Sequence, residues 1–439
     1  MHPPEQDSGA GPPIALESKC TCEAALRQLR QGARLPMAQW LRAHLFGHVM
    51  PFWERHGVDP LGGFNTCIDD AGRILSTDKW LWSQWRAVWV FSRIYNQLDP
   101  NPRWLAYARQ IAGFCIKTGW DERAEGWVLT VAQDGTVLRG CESIYTDAFA
   151  VYGLVELYQA TRDAGTLQLA CQTADAALRK LAGPRDALPH FPYPIPAGTK
   201  PHGIPMMWSL VLAELGQVTK NERYLAAASS LAGEIFRDFY RPDRDLIFEF
   251  VHADGSRFPG PQGNAVVPGH VVEDMWFQIR VAELTGGTSP GRDEMLRLAL
   301  RHLDAGWDAA HGGGLLLAID ADGRTPVGWA FADTKLWWPQ TEALYAMLLG
   351  AVQTGRPVFL DWYERLWRLC LDHYVDWENG EWRQKLDRSL APLQNVVALP
   401  VKDPFHLPRS LILQIELLEG AGPPPRLIGA GTGASFKRP

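Results

Sequence analysis

Apolar residues recur at helical spacing in paired segments of the chain, with each segment about 15 to 20 residues long. The pairs fall at 79–98 with 101–118, 143–162 with 165–181, 202–216 with 221–239, 269–286 with 291–306, and 335–353 with 358–374. A first helix near 36–50 and a last near 404–419 complete a predicted set of twelve. Between the pairs lie short alternating stretches broken by Asp-Gly turns, the strongest local signal of a β-hairpin. They are WVLTVAQDGTVL at Asp134-Gly135, LIFEFVHADGSRF at Asp254-Gly255 and LLLAIDADGRTP at Asp322-Gly323, with related turns between Asp69 and Gly72 and at Asp387. The spacing of these turns is about 65 residues with one double gap, and HFPYPIPAGTKPHG stands where the missing hairpin would be. The chain therefore reads as six units, each a helix pair with a hairpin.

Six helix pairs with short connections, each burying one face on its neighbours, close into an all-α, two-layer (α/α)6 barrel whose inner helices ring a central pocket. Length alone would have suggested two or three domains, and the repeat replaces that by a single barrel over 31–419. Residues 1–30 and 420–439 are rich in Gly, Pro and small residues and are expected to be flexible tails.

Composition changes this picture little. A formal charge of -6 without a basic stripe argues against nucleic acid as a partner. No apolar run is long enough to span a membrane, and the N-terminus has no leader-like apolar segment, so a cytoplasmic protein is expected. The seven cysteines are scattered, and only Cys20-x-Cys22 is close, without the second pair that a zinc site needs. No metal is expected.

Candidate chemistry gathers at the starts of the inner helices. His270 and Glu273 lie three residues apart in PGHVVEDMW, so on a helix they share a face, and a carboxylate on one ring nitrogen would tune the other for proton abstraction. The other starts bring Lys79, Gln84 and Arg86; Tyr145 and Asp147; His202; Lys335, Trp337, Trp338, Gln340 and Glu342; and Lys402, His406 and Arg409. A solvated face would not collect such residues at the same point of every unit. Trp337 and Trp338 are adjacent on a helix, so only one can face the pocket squarely. Glu342 lies a turn deeper and is expected to hold an Arg or Lys inside the barrel.

Five motifs in order, GGF-x-T-C at 62–67, PGH-x-x-E-x-x-W at 268–276, KLWW-P-x-x-E at 335–342, N-G-E-W at 379–382 and H-x-P-R at 406–409, resemble the N-acylglucosamine 2-epimerase family. Its relatives include cellobiose 2-epimerases and mannose-type isomerases. The resemblance implies an (α/α)6 barrel in which two histidines, here His270 and His406, exchange the C2 proton of an open-chain sugar through an enediolate. It implies Glu273 as the tuner of His270 and Arg86 at the developing oxyanion. His202, Tyr145, Trp337, Trp338, Gln340, Arg409 and Lys335 would then hold the substrate. The substrate implied is an N-acyl-D-glucosamine, with an unacylated sugar such as mannose or glucose as the alternative. No cofactor is implied for the chemistry, a nucleotide effector stays open in the absence of a phosphate loop, and a homodimer is an expectation of the family. Trp85 departs from the usual Gln-Gly-Arg pattern, a bulky ring that would narrow the pocket or change how the sugar is held. Glycoside hydrolases share the architecture, but they need two free carboxylates, and here Glu273 is expected on a histidine.

Overall fold

The computed structural model describes residues 19–287, 290–323 and 328–420. Six inner helices follow one another in chain order: Leu81–Arg93, Ile144–Thr161, Gly203–Thr219, Pro268–Thr285, Trp337–Thr354 and His406–Glu419. Each packs on the next, and the sixth returns to the first. Outside them lie Pro102–Thr118, Ala164–Leu181, Glu222–Glu234, Arg292–Gly306 and Pro357–His373, together with Leu35–Ala43, which runs through a π-helical turn into Met50–His56. This is the predicted (α/α)6 barrel.

The two layers differ for a plain reason. Outer helices have one wet face and are capped in the usual way: Asn101, Asp163 and Asn221 each accept a backbone N–H from the first turn. Inner helices are covered on nearly every side, so apolar residues surround them and their periodicity is weak.

Short strands stitch one unit to the next. The pair leading into the first inner helix, Lys79–Trp80, bonds Thr130–Val131 of the following hairpin, Thr199–Pro201 bonds Phe250–His252, Ala265–Val266 bonds Ile319–Asp320, and Lys335–Leu336 bonds Lys385–Leu386. The stretch without an Asp-Gly hairpin keeps the same connection as a single bridge from Ser143 to His190. Lys402 N–H donating to Thr66 O links the last unit to the first.

Within the segment expected to be a tail, Lys19–Arg30 is a helix that buries Cys22, Ala25, Leu26 and Leu29. Arg30 ties it to Glu364 at 2.7 Å and Asp361 at 2.7 Å on the last outer helix. The rest of both expected tails, 1–18 and 421–439, lies outside the described residues. Trp85 is fully buried against Trp127, rings 4.8 Å apart, so it fills the space between layers and does not narrow the pocket.

Three histidines sit in the fold away from the site, His302 and His44 buried and His48 half-buried. His302 accepts from Ile247 N–H at 2.9 Å, and His44 accepts from Trp382 Nε1–H at 3.0 Å with His48 stacked beside it. Burial lowers all three, His302 to about 4. The folded state therefore binds fewer protons than the unfolded chain below the ordinary histidine value of about 6.5, and stability falls with pH in that window. The urea midpoint is expected to drop between pH 7 and 5, before the carboxylates titrate, and to drop less in His48→Gln. An unchanged midpoint across that range would refute it.

Candidate active site

Two histidines reach the mouth of the barrel from different helices. His270 lies in the first turn of the fourth inner helix, with its side chain 32% exposed, and its Nδ1 meets Glu249 Oε2 at 3.1 Å. His406 opens the sixth, with its Nδ1 at 2.8 Å from Glu342 Oε1. A nitrogen facing a carboxylate is assigned the proton, which places it on Nδ1 of both rings and leaves each Nε2 without a hydrogen-bond partner among the described residues. Trp338 contacts both rings, with centroids at 5.1 Å from His270 and 5.7 Å from His406. Trp337 only sets its edge toward His406, at 6.1 Å. Trp338 can approach because residue 269 is glycine: a Cβ there would lie 2.8 Å from its ring.

The two histidines sit in opposite fields. Burial alone would lower His270, but the Glu249 carboxylate outweighs it and the ring is held above the ordinary histidine value. Burial and the Arg86 guanidinium push His406 down to about 3. Asp403 fixes both Arg86 and His406, accepting Arg86 Nη1–H at 2.8 Å and the His406 backbone N–H at 2.9 Å. Arg86 lies over Phe149, 4.1 Å from the ring centre, and its Nε has no hydrogen-bond partner among the described residues.

Glu273 does not reach His270 as expected. It accepts from Arg409 Nη2, which also donates to Glu342 Oε1 at 2.7 Å. Sharing a helix face was not sufficient: His270 in the first turn can reach the neighbouring loop, whereas Glu273 lies one turn deeper beside a buried cation. Glu342 holds an arginine as expected, and also receives Trp276 Nε1–H at 3.1 Å. Glu273, Glu342 and His406 form the one set of potential metal ligands among the described residues, and the Arg409 guanidinium bonds both of its carboxylates.

Four residues expected to bind substrate expose essentially no surface. His202 pairs with Asp274 at 2.8 Å, and Arg409 is buried over Phe405 and Trp276. Lys335 donates to His311 O at 2.8 Å and faces Asp308 at 3.3 Å. Gln340 donates to and accepts from the backbone of Leu315 at 3.1 and 3.0 Å. These last two repeat an arrangement in the first unit, where Lys79 pairs with Asp59 and Gln84 bonds both backbone groups of Phe64. Each Lys-x4-Gln set clamps a glycine turn, and a Cβ at Gly63 or Gly314, both at positive φ, would lie 3.3 or 3.1 Å from the lysine chain. They are fold stitches. Gln340→Ala would strand two buried backbone groups at about 1–3 kcal/mol each. It should lower the denaturation midpoint and leave kcat within about twofold.

Tyr145 does reach the mouth, where its hydroxyl meets His190 Nε2 at 3.0 Å, and His190 Nδ1 faces Tyr193 O at 2.6 Å. His190, Glu249 and Asp403 were not among the residues expected here. His190 and Asp403 stand in stretches that had drawn notice, HFPYP and KDPFH. Nothing in the pattern marked Glu249, a lone acid between Phe248 and Phe250.

At the far ends of the inner helices lies a separate cavity of about 200 Å³, behind Trp276. Its charged lining is internally paired, Arg93 with Glu416 and Glu156, and Arg280 with Glu214. The mouth, not this cavity, carries unpartnered ring nitrogens.

The mouth of this (α/α)6 barrel thus brings together two histidines, each paired with a carboxylate, and an arginine. The sequence matches the N-acylglucosamine 2-epimerase (GlcNAc 2-epimerase) family over residues 62–407, and the chain belongs to that family. It is 29% identical to N-acylglucosamine 2-epimerase of Bos taurus, covering 84% of this chain and 88% of the relative. It is 24% identical to cellobiose 2-epimerase of Dictyoglomus turgidum, covering 83% and 94%. Among solved structures, cellobiose 2-epimerase of Spirochaeta thermophila superposes with a TM-score of 0.74 at 26% identity, covering 91% of this chain and 99% of that one. A D-mannose isomerase shares the fold with a TM-score of 0.71 at 20% identity, covering 87% and 97%.

Proposed function

We propose that this protein is a sugar 2-epimerase acting on an N-acyl-D-glucosamine or its C2 epimer in the open-chain form, with His270 and His406 as acid and base and no cofactor in the chemistry. One observation carries the reading: two histidines with Nδ1 tied to separate carboxylates and Nε2 free, both against Trp338. Epimerisation needs a proton taken from one face of C2 and another given to the opposite face, hence two groups. A single shuttling base suffices for aldose–ketose isomerisation.

Near neutral pH the lowered His406 is in its base form, and the raised His270 retains its proton over more of the range. His406 Nε2 takes the C2 proton, the C2–H electrons form C1=C2, and the carbonyl π pair moves to O1. The Arg86 guanidinium stabilises that oxyanion. A base as weak as His406 makes this stabilisation important, because proton transfer alone is uphill. His270 Nε2–H then reprotonates C2 on the other face, and the reverse reaction exchanges the roles. The acyl preference rests on the mammalian relative, which at 29% identity is more similar than the cellobiose enzyme at 24%.

The test is a panel of N-acetylglucosamine, mannose, glucose and cellobiose in deuterated water, read by product identity and label position. The expected result is N-acetylmannosamine from N-acetylglucosamine with deuterium at C2. A ketose labelled at C1 from mannose would favour an aldose–ketose isomerase, and no exchange into any sugar would overturn the epimerase reading.

A further inference from the structure

We propose that Glu249, from the strand region facing the fourth inner helix, is the positioning residue of His270, and that Glu273, on the same helix as His270, serves His406 instead through Arg409. The inference rests on the two-histidine reading above and adds how the carboxylates are shared between the two rings.

The geometry is asymmetric. Glu249 Oε2 lies 3.1 Å from His270 Nδ1, whereas Glu273 makes no hydrogen bond to that ring and ends on Arg409. Arg409 spans Glu273 and Glu342, and Glu342 receives His406 Nδ1–H at 2.8 Å. His406 Nδ1 also lies 4.0 Å from Glu273 Oε1. The acid of the His-x-x-Glu motif is therefore part of the other histidine's support.

Glu249 is built into its place by backbone. Its N–H donates to Ala265 O, and its carbonyl accepts from His202 N–H, so two inner-helix lead-ins hold it. Its carboxylate is 8% exposed and faces His270, His202, His190 and Tyr145. Burial would raise its carboxyl, but those imidazoles, His270 foremost, hold it below the usual carboxylate range. The charged groups around His270 are Glu249, Glu273 and Asp274, with His190 the nearby imidazole. Of these only Glu249 is hydrogen-bonded to the ring. With the Nδ1 proton held by Glu249, the ring is locked in one tautomer and orientation, and Nε2 is left to meet C2.

The experiment is histidine side-chain NMR on the full chain carrying ¹⁵N-labelled histidine, with His270 assigned by difference from His270→Asn. In the wild type the neutral His270 ring is expected to carry its proton on Nδ1. In Glu249→Gln its titration midpoint should fall by about one unit, the loss of a single charge-assisted hydrogen bond. Glu249→Asp should restore part of that, and Glu273→Gln should move it by a few tenths at most. In the kinetics Glu249→Gln should lower kcat about tenfold or more with KM little changed, and shift the pH profile in the same direction. A wild-type Nε2–H tautomer, or a larger shift in Glu273→Gln than in Glu249→Gln, would overturn the proposal. If Glu249→Gln fails to fold, the wild-type tautomer still decides. The titration needs no substrate, so absent epimerase activity would defeat the functional reading alone.

Discussion

Replacing His270 or His406 by asparagine should lower kcat for C2 inversion by about 10² to 10⁴, the range a general acid or base supplies, yet the two variants should fail differently. Each surviving histidine still faces one side of C2. It can take the proton of the epimer whose C–H points toward it and return a solvent deuteron to the same side. Each variant is therefore expected to exchange C2–H of one epimer without inverting it, and the two should choose opposite epimers. Proton NMR of each pure epimer in deuterated water reads this directly. Full inversion in either single variant would end the two-histidine reading. The pH dependence has a stated sign: with His270 as acid, its proton is retained to higher pH than in an ordinary histidine because Glu249 raises it. Turnover should decline in both directions as pH rises through the elevated value, because both draw on the enzyme that carries one proton between the two rings.

The elements of this site were legible in the chain to different depths. The repeat was plain because Asp-Gly turns need a backbone that few residues tolerate: three of the six units carry one and two more carry a related turn. What a turn cannot reveal is its partner. Val131 bonds back into its own hairpin and also across to Lys79 of the preceding unit. A pairing of the same kind, Ser143 with His190, is what brings His190 to Tyr145, and a one-dimensional pattern holds no record of it. The helix Lys19–Arg30 was legible and overlooked, since Cys22, Ala25, Leu26 and Leu29 repeat at helical spacing beside a Gly/Pro-rich stretch that suggested a tail. Lys335 and Gln340 were also legible as stitches, because Lys79 and Gln84 stand at the same interval in the first unit. A feature shared by two units is more economically read as fold than as chemistry. His270 and His406 resisted that explanation, because among the described residues no other inner-helix start pairs a first-turn histidine Nδ1 with a carboxylate in this way. Which acid served which histidine was beyond the sequence, because it depends on where a buried arginine demands its charge.

That arginine carries the second large expected effect. Arg409 is sealed beneath the mouth with Glu273 and Glu342 on its Nη2, and the faces of Trp276 and Phe405 lie 5.1 and 4.5 Å from its guanidinium carbon. Removing one partner of a buried charge network leaves the others uncompensated, typically at about 3–5 kcal/mol. Arg409→Met should therefore lower stability by an amount of that order, seen as a reduced denaturation midpoint with an unchanged slope. It should also reach the chemistry. Arg409 is one of the cations that lower His406, and without it three buried carboxylates, Asp403, Glu273 and Glu342, lie around that ring with Arg86 to offset them. His406 should titrate at higher pH, nearer the ordinary histidine value, and the base form should be lost at mildly acid pH where the wild type retains it. The two consequences separate in a double variant. Adding Glu273→Gln to Arg409→Met removes one of the stranded charges, so the pair should recover a substantial part of the lost stability and show a coupling energy of about 0.5–3 kcal/mol, as expected for residues in one network. Strict additivity of the two substitutions would mean that Arg409 holds the barrel by packing against its aromatic neighbours, not by joining the two glutamates.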